Sequence, residues 1–144
     1  MFSKTCEYAI RAIIYIAQGS KHGRRVAIKE IARSIDAPEH FIAKILQNLV
    51  RTGLVQSSKG PTGGFYLDSP SLKNSLADIV KAVDGDKLFT GCGMGLDYCD
   101  ETKPCPIHDD FKKLRTQVWK MLNGAKIGAL HDKLEDNVAF LKRT

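Results

Sequence analysis

Residues 28–67, IKEIARSIDAPEHFIAKILQNLVRTGLVQSSKGPTGGFYL, decide the fold. IKEIARSI at 28–35 has the length and periodicity of a short helix, and Asp36-Ala37-Pro38 supplies a turn with proline at the start of the next one. Over 38–52, PEHFIAKILQNLVRT, the residues Phe41, Ile45, Leu46 and Leu49 share one face. His40, Lys44, Gln47, Asn48 and Arg51 fall largely on the other, and Gly53 stops the helix. Two helices joined by a tight turn, the second with a polar outer face, match a helix-turn-helix. LVQSS and FYL then flank KGPTGG, so β-prone segments around a Gly/Pro turn predict a β-hairpin with Lys59 at its tip. A hairpin directly after a helix-turn-helix is a wing, placed to reach backbone phosphates or the minor groove. The same KGPTGG lacks the G-x-x-x-x-G-K-S/T spacing and the following helix of a nucleotide phosphate loop.

Charge agrees with that reading. The formal net charge is +6, and residues 1–67 hold ten Lys or Arg against four Asp or Glu, whereas residues 68–144 hold twelve of each. Local positive excess binds phosphates through counterion release, so the first half is where a nucleic acid docks. Upstream, Ile10, Ile13, Ile14 and Ala17 follow helical spacing, with Tyr8, Ala12, Tyr15 and Ile16 as a second stripe and only Glu7, Arg11 and Gln18 polar. A helix apolar on most sides needs cover on most sides, which in a small protein points to a partner subunit as well as its own core. The N-terminus lacks the pattern of a signal peptide, and no stretch approaches 18 apolar residues, so a cytoplasmic protein that does not span a membrane is expected.

Downstream, Ser75-x-x-Asp78 opens a capping box and Gly85 is a stop signal, predicting a helix over about 76–84. A long helix over about 106–123 carries the stripe Phe111, Leu114, Val118, Met121 and Leu122. After Asn123-Gly124, Ile127, Leu130, Leu134, Val138 and Leu141 predict a last helix. These stripes have no evident core of their own, so pairing with a second subunit and the first helix is expected. The chain thus reads as mainly α with a small β-hairpin. A winged helix-turn-helix DNA-binding domain occupies 1–85, a ligand loop 86–105 and C-terminal dimerisation helices 106–144.

The ligand loop takes its name from GCGMGLDYCDETKPCPIH at 91–108, which gathers Cys92, Cys99, Cys105 and His108. Clustered cysteines in a reducing compartment are more often metal ligands or redox groups than disulfides, and three thiolates with an imidazole form a ligand set for an iron-sulfur cluster or zinc. The intervals of six, five and two residues include no tight Cys-x2–4-Cys pair, so the spacing leans toward a polynuclear cluster. A redox thiol loop without a cluster stays open beside it. Residues 86–110 hold six acidic and two basic side chains and several Gly and Pro, which gives the segment little reason to hold one conformation unaided. Cys6 reads as buried packing, and His22 and His131 carry no motif.

In order, EYAIRAIIYIA, HFIAKILQNLVRTGLV, KGPTGGFYL, ADIVKAVDG, the three-cysteine loop and the long C-terminal helices give the chain a resemblance to winged-helix regulators of the IscR/NsrR/CymR type. The likeness covers nearly the whole chain. It implies a homodimeric bacterial transcription regulator, taken as a repressor, that senses redox, nitric oxide or iron-sulfur status. It further implies a cluster, 2Fe-2S favoured over 4Fe-4S, with His108 as fourth ligand; other members use an acidic residue from the partner's first helix, where this chain has Glu7. The gap between Cys92 and Cys99 departs from the better-known patterns by a residue or so.

Each protomer is expected to set its second helix in a major groove with Glu39, His40, Lys44 and Asn48 toward base edges, while Lys59 and Thr62 of the wing hold the backbone. A dimer then reads a pseudo-palindromic operator in double-stranded DNA, with half-sites about 34–36 Å or a multiple apart. No Ser/His/Asp set, catalytic carboxylate pair, P-loop or dinucleotide fingerprint accompanies the cysteines, so an enzyme is not expected. An iron-sulfur electron carrier leaves the basic half unexplained. A zinc-stapled winged-helix regulator is the stronger alternative.

Overall fold

In the computed structural model, which describes residues 1–142, the chain starts with helix α1 (Lys4–Lys21). The Ser3 hydroxyl accepts from the Cys6 amide and fixes where α1 begins. The doubly apolar α1 is covered inside its own chain: Ala9, Ala12, Ile13, Ile16 and Ala17 are fully buried, with helices against several of its sides. Its main neighbours are α2 (Ile28–Ile35), α3 (Glu39–Arg51), α5 (Leu76–Asp84) and α8 (Ile127–Glu135).

Helices α2 and α3 form the expected pair. Asp36 closes α2 in the left-handed region (φ 55°), and Pro38 is the residue before α3. The buried face of α3 is Ile42, Ile45, Leu46 and Leu49. Phe41, expected there, is 37% exposed and packs edge-on against Tyr8 of α1 at 5.7 Å. Ile42 takes the core position because it is four residues before Leu46 and seven before Leu49 on the face toward α1 and α2.

The wing is a two-stranded antiparallel hairpin, β1 (Gln56–Ser58) with β2 (Gly64–Tyr66), in the register Gln56↔Tyr66, Ser57↔Phe65 and Ser58↔Gly64. Val26 adds an isolated antiparallel bridge to Phe65 on the far side of β2. Gly64 (φ 146°) is required there, since a Cβ would stand 2.9 Å from the Val26 carbonyl oxygen.

A single turn α4 (Ser69–Leu72) leads to α5, whose capping box is complete: Ser75 N–H donates to Asp78 Oδ2 at 2.8 Å and Asp78 N–H to Ser75 Oγ at 3.3 Å. The segment after α5 contains one further turn, α6 (Lys87–Thr90), and the long helix expected from about 106 begins two residues later as α7 (His108–Gly124). Helix α7 packs on α5 and α6, while α8 packs on α1 and places Ile127 in the main core. Leu114 and Met121 of α7 remain about half exposed, at 51% and 55%.

The last helix is shorter than its apolar spacing predicts. It ends at Glu135, and Asn137 (φ 55°) turns the chain so that the Val138 and Ala139 amides both donate to Lys133 O. Val138 and Leu141 are therefore not helical; Val138 is exposed, and Leu141 lines a cleft with Phe2, Ile10 and Phe140. No helix among the described residues is long and apolar enough to cross a membrane.

Candidate functional site

The three loop cysteines are free and half-buried. Cys92 follows the Gly91 cap of α6, and its Sγ accepts from the Met94 amide at 3.4 Å. Amides of Met94 and then Leu96 hold the Cys92 thiol below its usual range. Cys99 Sγ lies 3.4 Å from His108 Nδ1. His108, 8% exposed, is the first residue of α7, and its amide donates to Cys105 O at 3.0 Å. The loop therefore joins Cys99 to His108. Among the described residues no three His, Cys, Asp or Glu side chains converge on one ion-sized centre.

Glu7, the alternative fourth ligand, stands elsewhere. It lines an open cleft with Phe2, Arg11, Asp36 and Phe140, to which no cysteine contributes. Cys6 is buried, and burial followed by the charge of Asp84 pushes its thiol up to about 12, so it stays protonated and inert.

The loop has more internal and external support than its composition suggests. Asp100 Oδ1 accepts from the Thr102 amide (2.8 Å), the Thr102 hydroxyl (2.7 Å) and the Lys103 amide (3.3 Å), which keeps the Asp100 carboxyl below its ordinary range. Glu101 pairs with Lys112 of α7, lowering the carboxyl and raising the amine. Arg115 donates to Gly91 O at 2.9 Å and to Cys99 Sγ at 3.4 Å. Lys112 and Arg115 sit on α7, beyond the segment whose composition argued for disorder. A sequence signal did exist: His108, Phe111, Lys112 and Arg115 follow i, i+3, i+4, i+7 spacing on one face.

On the basic half, Glu39, His40 and Lys44 are exposed along α3, and Lys59 and Thr62 are exposed at the wing tip. Asn48 is only half-exposed, and its side-chain oxygen accepts from Arg51. The sequence reading passed over Arg25, whose guanidinium lies 4.5 Å from the Tyr66 ring centroid and adds a cation at the wing's base.

Comparison with known proteins agrees with this architecture. The model of the Rrf2 family, described as iron-dependent transcriptional regulators, matches residues 2–133. A protein of Aquifex aeolicus named as an HTH-type transcriptional regulator is 32% identical over 129 residues, 88% of each chain. Protein aau3 of Rhizobium meliloti is 33% identical over 130 residues, 89% of this chain and 82% of that one. Among solved structures, CymR, the global cysteine regulator of B. subtilis, superposes with a TM-score of 0.74 at 22% identity, covering 92% of this chain and 96% of that one. T. potens IscR gives 0.72 at 21% identity, covering 97% and 93%. Both share the winged-helix fold.

Proposed function

Because the chain belongs to the Rrf2 family of iron-dependent transcriptional regulators, we propose that it works as a homodimeric repressor whose DNA binding answers to an iron-sulfur cluster on the 91–108 loop. Cys92, Cys99, Cys105 and His108 would hold the cluster, with a second copy's Glu7 as the other source of the fourth ligand. The observation that carries this reading is the pairing of Cys99 with His108 on a loop that Arg115 seats against α7.

When bound, the cluster supplies thiolate-ligated iron that oxidants, nitric oxide or iron shortage can attack. The chain's own residues relay loop order to the DNA-binding half. The loop rests on α7, α7 packs on α5, and α5 packs on α1, which carries α2 and α3. A change in loop order thereby biases how α7 sits between protomers, and with it the separation of the two α3 helices. Lys44 is the sharpest candidate for a guanine contact, and Lys59 and Thr62 hold phosphates.

Anaerobic purification tests the cluster, and duplex binding tests the regulator. The expected result is coloured protein with iron and acid-labile sulfide, and DNA affinity that falls steeply with salt. Colourless protein with stoichiometric zinc overturns the cluster in favour of a zinc staple; salt-insensitive or absent duplex binding overturns the DNA-binding role.

A further inference from the structure

Two turns into α7, Arg115 makes two long-range bonds with one planar group. Its Nη1 donates to Gly91 O at 2.9 Å and its Nη2 to Cys99 Sγ at 3.4 Å. Gly91 immediately precedes Cys92, so the guanidinium spans the segments that carry the first and second loop cysteines. The same face of α7 seats the loop by shape: Gly93 lies so close to the Phe111 ring that a Cβ there would meet ring atoms at 2.6–2.9 Å, and Arg115 sits 5.8 Å from that ring's centroid. Arg115 Nε is buried without a hydrogen-bond partner, an uncommon state that leaves one donor of the same guanidinium free.

We propose that Arg115 is the positioning residue of the sensor loop: its guanidinium clamps the Gly91–Cys92 and Cys99 segments onto α7 and sets a fixed positive charge against the Cys99 sulfur. The functional consequence rests on reading Cys92, Cys99, Cys105 and His108 as cluster ligands; the clamp itself is built from the chain's own groups alone. A rigid fork can satisfy both acceptors at once, whereas a lysine offers one compact ammonium and can serve only one of them well. Pre-ordering two ligand segments spares part of the ordering entropy when the ligands are engaged. A cation hydrogen-bonded to a ligating sulfur favours the more negative, reduced state of a cluster and so raises its potential.

Deuterium exchange of the chelator-treated protein, read in peptides spanning 91–107, compares wild type, Arg115→Met, Arg115→Lys and Gly93→Ala. Arg115→Met is expected to speed exchange in this segment on the order of tenfold with α5 peptides unchanged, because only the loop loses its seat. Arg115→Lys falls between. Gly93→Ala, which leaves Arg115 intact but drives a Cβ into Phe111, raises exchange in the same segment and covers the case in which Arg115→Met unfolds α7. After anaerobic loading with iron and sulfide, Arg115→Met shifts the midpoint potential to more negative values, while Arg115→Lys, which keeps the charge, stays near wild type. Unchanged loop exchange in both Arg115 variants overturns the clamp, and an unchanged potential in Arg115→Met overturns the electrostatic role. Wild type that takes up no iron and sulfide removes the cluster reading, but the exchange comparison still decides the clamp.

Discussion

Val26 and Phe65 exchange both of their backbone hydrogen bonds, N–H to C=O at 2.9 Å in each direction. The residue two before α2 is thereby paired with the second strand of the wing, so the hairpin and the helix-turn-helix are tied by backbone rather than by side chains alone. Val26 is fully buried, which shields these bonds from water.

Gly64→Ala tests that tie. The new Cβ meets the Val26 backbone at about 3 Å, and φ of 146° is costly for any residue with a side chain. A stability loss of roughly 1–3 kcal/mol is expected in denaturant unfolding, together with weaker duplex binding.

Lys44 and Lys59 should separate base reading from phosphate binding. Lys44→Ala is expected to cost about 1–3 kcal/mol on the preferred operator and to relax its preference. Lys59→Ala should weaken all duplexes alike and lower the salt slope by about 0.9 per lost phosphate contact. Anisotropy titrations at several salt concentrations distinguish the two patterns; identical behaviour of the variants contradicts the assignment.

Replacing any one of Cys92, Cys99 or Cys105 by Ser should remove visible absorbance and iron, with little change in thermal unfolding, since none lies in the apolar core. His108→Ala against Glu7→Ala decides whether one subunit completes the site. The spectrum should change in the first and persist in the second.

The exposed Leu114 and Met121 on α7 test self-association. Charged substitutions there leave the protomer core intact and are expected to shift sedimentation toward monomer. Leu49→Ala, by contrast, opens a cavity in the fully buried core and should cost about 2–5 kcal/mol of stability.

Acid sensitivity should trace in part to His131, which is 2% exposed. Burial lowers its pKa; Glu135 and Asp132 oppose that shift, while Lys21 and His22 assist it. The folded state therefore binds the proton less readily than the unfolded chain. Stability from this group is full above the ordinary value of 6.5 and falls as pH drops through the lower folded value. Glu135, lowered mainly by its 2.9 Å bond with His22, acts in a separate window below 4.5. His131→Leu should flatten the upper limb of a plot of stability against pH and change the lower one much less, since His22 is the larger cause there.

Local patterns were legible where a few neighbouring residues settle a conformation. The Ser75–Asp78 capping box, the Gly85 stop and the hairpin around KGPTGG each follow from hydrogen bonds or φ values available within a few residues. The end of α8 was not, because spacing continued through Val138 and Leu141 while Asn137 had already closed the helix. The Phe41–Ile42 exchange has a related cause: both are apolar, and only the neighbours α1 presents decide which one turns inward.

The amino-acid order alone determined the winged helix-turn-helix, the basic half and the one loop that concentrates thiols with an imidazole. Periodicity, turn chemistry and charge are carried by residues close together in sequence, so they need no tertiary information. Tertiary structure alone decided that Cys99 meets His108, that Arg115 reaches back 24 residues to Gly91 and 16 to Cys99, and that Val26 joins the wing. Those contacts arise when α7 docks on α5 and when the segment before α2 runs beside β2. Which donors and acceptors then face each other is fixed by packing between elements distant in sequence.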